Sequence, residues 1–469
     1  MSAQSFRQKF IGSKAFYASV LSIAVPIIIQ NAITNFVNLL DNIMVGQIGT
    51  EPMSGVAIAN QLLFVYNLTI FGGHGGAGIF TAQFHGKNDS DGIRYTMRFK
   101  MLLSILLTSA TIALFLTQGG SLINLFLHDG SATGDLALTL SAGQKYLRIM
   151  LIGLIPFSVS QVYTSTLREV GETTLPMKAG VIAVFVNLAL NWILIYGHLG
   201  FPAMGVAGAA VATVISRCVE CTIVIIWLHA HAGRFAFIRK VWHSLRIPGY
   251  LVVDIIRRGM PLLVNEAIWS FSMTAINQCY STRGLAVVAA LNISSTIVNL
   301  FNVIYMSLGN SVGIVVGKLL GQGKTREAVD TDRKMIAFSI GICLIIGSIM
   351  ACTSSLFPKL YNTTDEVRQL ASYFICLAGL LMPMHSFLHC TYFTLRCGGK
   401  TMVTFMFDCM FISLVNLPLA YILAHYTGLE IHLMYLLCQM VDLLKCAIGY
   451  TLVKKGIWIN NIVGGTMEE

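Results

Sequence analysis

The chain has 469 residues, of which 55% are hydrophobic and 11% charged, and its mean hydropathy is +0.72. A soluble protein carries about 25% charged residues, so this composition excludes a soluble globular protein and indicates one that lies in a membrane. The formal net charge of +10 suits attraction to anionic lipids. Nothing in the sequence predicts a nucleic-acid partner.

Apolar stretches of about 20 residues, the length that crosses a bilayer as a helix, recur along the whole chain. They lie near residues 15–40, 54–80, 101–118, 138–166, 174–197, 205–229, 259–282, 286–316, 335–357, 368–394, 402–424 and 431–453. The sequence therefore predicts an all-α membrane protein with about twelve transmembrane helices.

The distribution of basic residues predicts the orientation of these helices. When both termini and the even-to-odd connections are placed on one side, that side collects 24 of the 31 Lys and Arg residues. Basic residues concentrate on the cytoplasmic side of membrane proteins. We therefore expect a multi-pass protein of the cell (inner) membrane with both termini in the cytoplasm. The amino-terminal apolar stretch shows no convincing cleavage site, so we expect it to be retained.

The eleven cysteines fall mostly inside apolar stretches, where packed, reduced thiols are the usual state. We expect no disulfide framework, no metal site and no cofactor.

Two short segments of the chain are nearly the same. "LREVGET" at 167–173 matches "LRCGGKT" at 395–401, an offset of 228 residues. Further on, "VNLALNWIL" from Val186 matches "VNLPLAYIL" from Val415, one residue out of step with the first pair. The match therefore continues from the connection into the following helix.

The repeat extends to the earlier helices of each half. At an offset of 235, "PIIIQNAITNF" from Pro26 matches "PLLVNEAIWSF" from Pro261, and "GIFTAQFHG" from Gly78 matches "GIVVGKLLG" from Gly313. These matches divide the chain into two halves of six helices. Since six is even, both halves have the same orientation in the membrane.

The domain boundaries follow from the repeat. We predict an amino-terminal lobe at 1–229 and a carboxyl-terminal lobe at 251–469. The segment between them, 230–250, is basic, aromatic and only moderately apolar, which predicts a linker along the cytoplasmic interface.

Five carboxylates lie within or at the ends of the predicted membrane helices, and each needs a partner, water or a function because a buried charge costs at least about 2.5 to 3.5 kcal/mol there. They are Asp41, Glu220, Glu266, Asp408 and Asp442. Glu220 follows Arg217 by three residues, and Asp442 precedes Lys445 by three. This spacing puts each pair on one helix face, so we predict two structural ion pairs.

The other three acids have no basic residue within four positions. Each must find its partner on another helix, in a bound cation or in a proton. Asp41 lies among Asn35, Asn38 and Asn42, and the alternative for it is a helix-end aspartate wetted by the outer surface. We treat Asp41, Glu266 and Asp408 as candidate cation-coupling residues.

Two histidines, His385 and His389, lie four residues apart and therefore on one helix face. Packing or hydrogen bonding, and a proton relay or substrate contact, both remain open for them. As a metal site the pair is poor because two ligands alone are insufficient. Pro26 and Pro261 lie early in predicted helices and should kink them.

With its two equivalent six-helix halves, Pro26 and Asp41 on the first helix, and the segments that follow Leu167 and Leu395, the chain resembles the multidrug and toxic compound extrusion (MATE) family. The resemblance covers nearly the whole chain. It implies two bundles with a central cleft and an antiporter that exports small organic, often cationic, compounds in exchange for H+ or Na+ by alternating access.

The resemblance also implies roles for particular residues. The family's amino-terminal cation site uses an aspartate in the context of Asp41 together with the fifth helix, whose matching positions here are Asn187 and Asn191. Asn191 stands where some relatives have a second aspartate. Another branch pairs an acid on the seventh helix, here Glu266, with an aspartate on the tenth, whose place is taken by His385. Pro26 is the implied hinge, and Pro261 is its counterpart.

The leading hypothesis is a cation-coupled multidrug exporter that acts as a monomer. Two alternatives remain: a lipid-linked or polysaccharide flippase of the same superfamily, and a non-catalytic membrane receptor or scaffold, which would leave the three unpaired acids unexplained. An intramembrane enzyme would need a nucleophile or a metal set at fixed spacing, and we find no such pattern.

Overall fold

The computed structural model describes residues 9–125, 136–361 and 363–464, apart from the side chains of Asn38, Leu39, Asn42, Ile43 and Thr50. Within these ranges all regular secondary structure is helical. The long helices are α1 Lys14–Gly46, α2 Thr50–Lys87, α3 Ser90–Asn124, α4 Leu136–Glu169, α5 Thr174–Tyr196, α6 Val206–Ala230, α7 Gly249–Ser281, α8 Leu285–Gly321, α9 Thr325–Cys352, α10 Asp365–Cys397, α11 Thr401–Tyr426 and α12 Ile431–Lys454.

Eleven of these helices, within the described ranges, are long and apolar enough to cross a membrane. The remaining helix, α7, carries Asp254, Arg257, Arg258 and Glu266. The prediction of an all-α, multi-pass membrane protein with about twelve helices is confirmed. Several helices begin earlier than the apolar stretches predicted. Both α3 and α9 start about ten residues sooner, because their first turns carry charged residues that a hydropathy scan reads as connections.

The chain divides into two compact units. The amino-terminal unit comprises Ile29–Thr81 and Ser90–Val253, and the carboxyl-terminal unit comprises Met1–Ile28, Ala82–Asp89 and Asp254–Glu469. Each has its own apolar core of buried helix faces. The lobe boundaries at residues 229 and 250 stay a prediction.

The repeated segments form matching turns between helices. Gly171 after α4 and Gly399 after α10 both have positive φ, +84° and +73°. This left-handed conformation favours glycine because it has no Cβ. In the first turn Gly171 N donates to Arg168 O at 2.9 Å, which closes the end of the helix.

The ends of α2 and α8 cross within the carboxyl-terminal unit at a pair of repeat-related glycines. A Cβ on Gly86 would lie 2.0 Å from the backbone oxygen of Lys318, and a Cβ on Gly321 would lie 2.0 Å from that of Gln83. No side chain fits at such a distance. These two glycines end the repeated segments that begin at Gly78 and Gly313, so the repeat preserves a helix crossing.

The carboxyl-terminal tail, residues 455–464, packs against the carboxyl-terminal end of α2. The Gln83 amide nitrogen donates to the backbone oxygens of Cys397, at 3.0 Å, and Asn460, at 3.1 Å. Its oxygen accepts from Ile462 N at 2.9 Å. Trp458 of the tail is only 1% exposed. The tail is therefore a packed part of the carboxyl-terminal unit.

The segment predicted as a linker is packed within the amino-terminal unit. The Arg98 side chain on α3 donates to the backbone oxygens of Val241, at 2.7 Å, and Arg246, at 3.0 Å. Trp242 Nε1 donates to the Tyr163 hydroxyl on α4 at 2.9 Å. The Arg98 guanidinium group thus forms hydrogen bonds with backbone carbonyl groups of the linker.

Helix α11 contains two π-helical turns, Met406–Met410 and Ile412–Asn416. A π turn bonds residue i to i+5, which leaves room for one extra residue, and such turns are frequent at functional sites. The first of them carries Asp408.

Candidate cation sites

In the amino-terminal unit the structure brings Asp41 of α1 together with Asn187 and Asn191 of α5. Asn191 Nδ2 donates to Asp41 Oδ1 at 2.6 Å. One atom of the Asn187 amide lies 3.1 and 3.0 Å from the two oxygens of Asp41. The two asparagines are four residues apart and therefore share a helix face, which presents both amides to one carboxylate.

The Asn187 amide can meet Asp41 in two orientations. With its nitrogen toward Asp41 it donates to the carboxylate, and its oxygen lies 3.3 Å from Thr213 N on α6. With its nitrogen toward Thr213 Oγ1, at 3.3 Å, its oxygen faces the carboxylate. Two acceptors are compatible at that distance only when Asp41 carries a proton or a cation lies between them. The first orientation satisfies both ends of the amide beside an ionised Asp41.

The same cluster offers oxygen ligands for a hard cation. Within the described part of the chain, Asn191 Oδ1 is buried and accepts no hydrogen bond. Together with Asp41, Asn187 and Thr213 it provides carboxylate, amide and hydroxyl oxygens, which are the donors that such cations bind. Asp41 forms no ion pair within 4 Å among the described residues. The neighbouring side chains of Asn38 and Asn42 lie outside the described residues.

In the carboxyl-terminal unit Asp408 is paired. Lys445 Nζ of α12 lies 2.7 Å from Asp408 Oδ1, with side-chain exposures of 7% and 18%, and Asn265 Nδ2 of α7 donates to Asp408 Oδ2 at 3.1 Å. The predicted ion pair of Lys445 with Asp442 is wrong. Asp442 accepts instead from Asn416 Nδ2 at 3.1 Å, which leaves Lys445 to pair with Asp408.

Replacing Lys445 with Met is expected to destabilise the protein by about 3 kcal/mol or more, because it leaves a buried carboxylate without its counter-charge. A fall in the melting temperature of the purified protein measures this. Lys324→Met is the matched control, since Lys324 pairs with Glu327 at the surface and such pairs contribute at most about 1 kcal/mol. Adding Asp408→Asn to Lys445→Met should recover stability. Equal melting temperatures for Lys445→Met and the parent would contradict the pairing.

Glu266 on α7 faces α10. The Tyr392 hydroxyl donates to Glu266 Oε1 at 3.5 Å, a weak contact. Arg396, one turn further along α10, and Asp408 are its charged neighbours. Glu266 forms no ion pair within 4 Å in the part of the chain that the structure describes. Its carboxylate is therefore half-buried and weakly bound.

The two histidines of α10 lie beside this acidic cluster. The Tyr305 ring contacts His389 edge-on, with centroids 5.0 Å apart, and stacks on His385 at 6.3 Å. Asp408 and Lys445 are charged neighbours of His389. The described residues contain no group of three or more His, Cys, Asp or Glu side chains that could hold a metal ion. The structure thus places His389 near Asp408 and His385 near Asp442, and the role of both histidines stays a prediction.

The predicted pair of Arg217 with Glu220 does not form within 4 Å among the described residues. The Arg217 guanidinium lies over the Phe157 ring of α4, 4.8 Å from its centroid, so the side chain turns away from its helical neighbour. Glu220 has both Arg168 and Arg217 as cationic neighbours. The acid is therefore shared between two cations.

Pro26 lies inside α1 and Pro261 inside α7, as predicted. A proline within a helix removes one backbone hydrogen bond and favours bending. Pro26 is two residues from the point where α1 passes from the carboxyl-terminal unit to the amino-terminal unit, at Ile28. The hinge role of both prolines stays a prediction.

The sequence analysis missed a buried ion pair in the amino-terminal unit. Lys100 of α3 is fully buried and pairs with Glu169 at the end of α4. Its Nζ also lies 3.3 Å from the hydroxyls of Ser165 and Thr166. A Cβ on Gly78 would lie 2.3 Å from Glu169 Oε1. The glycine-rich stretch of α2 therefore makes room for this acid.

A second missed acid is Asp332 of α9, which is 1% exposed. It lies in a turn that the hydropathy pattern placed outside the membrane helix. The repeat gives no signal for it, because "TMRFKM" from Thr96 and "DTDRKM" from Asp330, at an offset of 234, share only Lys and Met, and Asp332 aligns with Arg98.

Comparison with known proteins assigns the chain to a family. The MatE family model matches residues 26–193 and 261–422, and the chain belongs to this family, that of multidrug and toxic compound extrusion transporters. It is thus a multi-pass membrane protein of a transporter family, as the sequence predicted.

Curated relatives cover most of the chain. The probable multidrug resistance protein NorM of Thermotoga maritima is 22% identical over 410 residues, which are 87% of this chain and 85% of that protein. The multidrug resistance protein MdtK of Cronobacter sakazakii is 29% identical over 366 residues, 77% of each chain.

Solved structures share the fold. An outward-facing multidrug resistance MATE transporter of the MOP superfamily superposes with a TM-score of 0.81 at 19% identity, over 97% of this chain and 98% of that one. A MOP superfamily transporter from Pyrococcus furiosus gives a TM-score of 0.82 at 20% identity, over 94% and 95% of the two chains.

Proposed function

We propose that this protein exports small organic compounds, mostly cationic and drug-like, across the cell membrane in exchange for H+ or Na+. The names of the curated relatives support the class of cargo. The observation that carries the exchange mechanism is that each unit holds a candidate coupling acid that forms no ion pair among the described residues, Asp41 in one and Glu266 in the other.

An acid of this kind can couple an ion to a change of shape. A ligand shifts a conformational equilibrium only when it binds one state more tightly than the other. An unpaired carboxylate binds a cation or a proton tightly when it is closed off from water and weakly when it is hydrated. Alternating access follows when each ion-bound state favours one side of the membrane.

The two sites differ in the ion that suits them. Around Asp41, the amide oxygens of Asn187 and Asn191 and the hydroxyl of Thr213 suit Na+ as well as H+. Around Glu266, the neighbours are the Tyr392 hydroxyl, the Arg396 cation and the Asp408 carboxylate that Lys445 already pairs, and the positive charge of Arg396 disfavours a metal cation. Glu266 is thus better suited to a proton.

The remaining parts of the proposal concern the surroundings of the protein. It acts as a monomer in contact with membrane lipids, needs no cofactor besides the coupling ion and has no nucleic-acid partner. Both termini face the cytoplasm, because that orientation places 24 of the 31 basic residues on the inner side. The carboxylates of both units favour cationic over anionic cargo.

Transport by the purified protein in proteoliposomes tests the proposal. A proton gradient and a sodium gradient are imposed separately, and movement of a fluorescent organic cation is followed. We expect at least one gradient to drive accumulation against the concentration gradient of the dye. Empty liposomes, and proteoliposomes with both gradients collapsed, are the controls. If neither gradient drives any of a panel of organic cations, the proposed exchange is wrong.

A further inference from the structure

Asp332 is a buried acid that the proposed exchange does not use. It lies seven residues after the start of α9, about 10 Å along the helix axis. The residue is 1% exposed, and its hydrogen-bond partner Thr394 on α10 is fully buried. A carboxylate in such a place must be neutralised by a partner or by a proton.

The hydrogen bonds of Thr394 fit a proton on Asp332. Its Oγ1 lies 2.5 Å from Asp332 Oδ1 and 2.9 Å from the backbone oxygen of Cys390. A threonine hydroxyl has one hydrogen to donate, and both neighbouring oxygens are acceptors if Asp332 is ionised. Both contacts are hydrogen bonds when Asp332 is the neutral acid, because its own hydrogen then goes to Thr394 while Thr394 donates to Cys390.

The charges around Asp332 agree with the neutral form. It forms no ion pair within 4 Å in the described ranges. Its titratable or charged neighbours are Arg333, Cys390 and Cys397. Buried thiols bring no positive charge, and Arg333 is the next residue of the same helix, so the two side chains do not face each other.

The position that corresponds to Thr394 in the amino-terminal unit has different charged neighbours. Thr166 corresponds to Thr394 at the repeat offset of 228, and there it lies 3.3 Å from Lys100 Nζ, which pairs with Glu169. The counterpart of Lys100 at the offset of 234 is Lys334, which turns outward and pairs with Asp330 at 2.5 Å. One unit therefore holds a buried ion pair where the other holds a single acid.

We propose that Asp332, with Thr394, is a second proton-binding site of the carboxyl-terminal unit, and that its proton is exchanged during transport. Helix α10 carries both Thr394, which contacts Asp332, and Tyr392, which contacts Glu266. A movement of α10 therefore changes the surroundings of both acids together. The part of this proposal that concerns transport rests on the proposed proton exchange.

Infrared spectroscopy of the purified protein in lipid nanodiscs at neutral pH tests the proton directly. The difference spectrum of parent minus Asp332→Asn should contain a C=O band of a neutral carboxylic acid. Thr394→Val should shift this band without removing it, because it deletes one hydrogen bond. Asp330→Asn is the matched control on the same helix and should remove a carboxylate band. Loss of a carboxylate band in Asp332→Asn would overturn the proton site.

Transport by the same variants tests the exchange. We expect Asp332→Asn to lower proton-driven export at least about fivefold while substrate counterflow without a gradient stays at the parent rate. Proton-driven export at the parent rate would overturn the exchange. If Asp332→Asn cannot be purified, the shift of the acid band in Thr394→Val decides the site. If the parent protein exports nothing, the proposed function fails, and the infrared result still decides the proton.

Discussion

Asp41→Asn and Glu266→Gln should each abolish gradient-driven export while the variant proteins insert and fold like the parent. Both changes keep the size of the side chain and its capacity for hydrogen bonds, but they remove the group that can bind a cation or a proton. An ion that no longer binds one state more tightly cannot shift the equilibrium between states. Neither acid has an ion-pair partner among the described residues, so no basic group is left uncompensated.

The measurement is dye accumulation in proteoliposomes together with the melting temperature of each variant. Asp365→Asn is the matched control, because Asp365 is an acid at the exposed start of α10 whose side chain is 87% exposed. It should transport at the parent rate. If the double variant of Asp41 and Glu266 still concentrates an organic cation at the parent rate, neither acid couples transport and the proposed mechanism is falsified.

Gly86→Ala should strongly lower the stability of the protein. The new Cβ would lie 2.0 Å from the backbone oxygen of Lys318, whereas carbon and its neighbours pack at about 3.5 to 4.0 Å. The atoms nearest to the new Cβ belong to the backbone of α8. They cannot move aside by a change of side-chain rotamer, so α2 and α8 must separate. Overpacking of this kind costs about 1 to 3 kcal/mol or more, and the contacts of Gln83 with the tail are broken as well.

Gly341→Ala is the matched control for this prediction. Gly341 lies within α9, and a Cβ there would meet no atom within 4 Å. Alanine should stabilise that helix by up to about 1 kcal/mol. The expected result is a lower melting temperature for Gly86→Ala and an equal or higher one for Gly341→Ala. A Gly86→Ala variant as stable as the parent would show that the two helices do not cross as described.

The membrane fold was predictable because the lipid environment imposes simple requirements on a sequence. Long apolar stretches gave the number of helices, and matching segments gave the two-fold repeat. Asp41 and Glu266 were found because an acid without a basic neighbour on its own helix is rare in a membrane. The gathering of Asp41 with Asn187 and Asn191 was implied only by the resemblance to a family.

The partners of the acids were less predictable than their positions. Residue spacing identifies neighbours on the same helix only. It therefore predicted a pair of Lys445 with Asp442 and could not predict the contact of Lys445 with Asp408, which lies on α11. Hydropathy likewise ends a helix at its first charges. That is why Asp332 and the pair of Lys100 with Glu169 were placed in connections, although Asp332 and Lys100 are buried inside extended helices and Glu169 is the last residue of one.

The π turns of α11 record how the two halves came to differ. The segments at 167 and 395 are 228 residues apart, whereas those at Val186 and Val415 are 229 apart, so the second copy is one residue longer between its turn and the middle of α11. The π turns of Met406–Asn416 lie in that interval. An insertion absorbed in this way leaves the rest of the helix in register. It lies beside Asp408, whose place in the first copy is held by the small residues Ala179 and Gly180. At this position the two halves thus differ both in charge, with an acid in one half only, and in helix geometry, with π turns in α11.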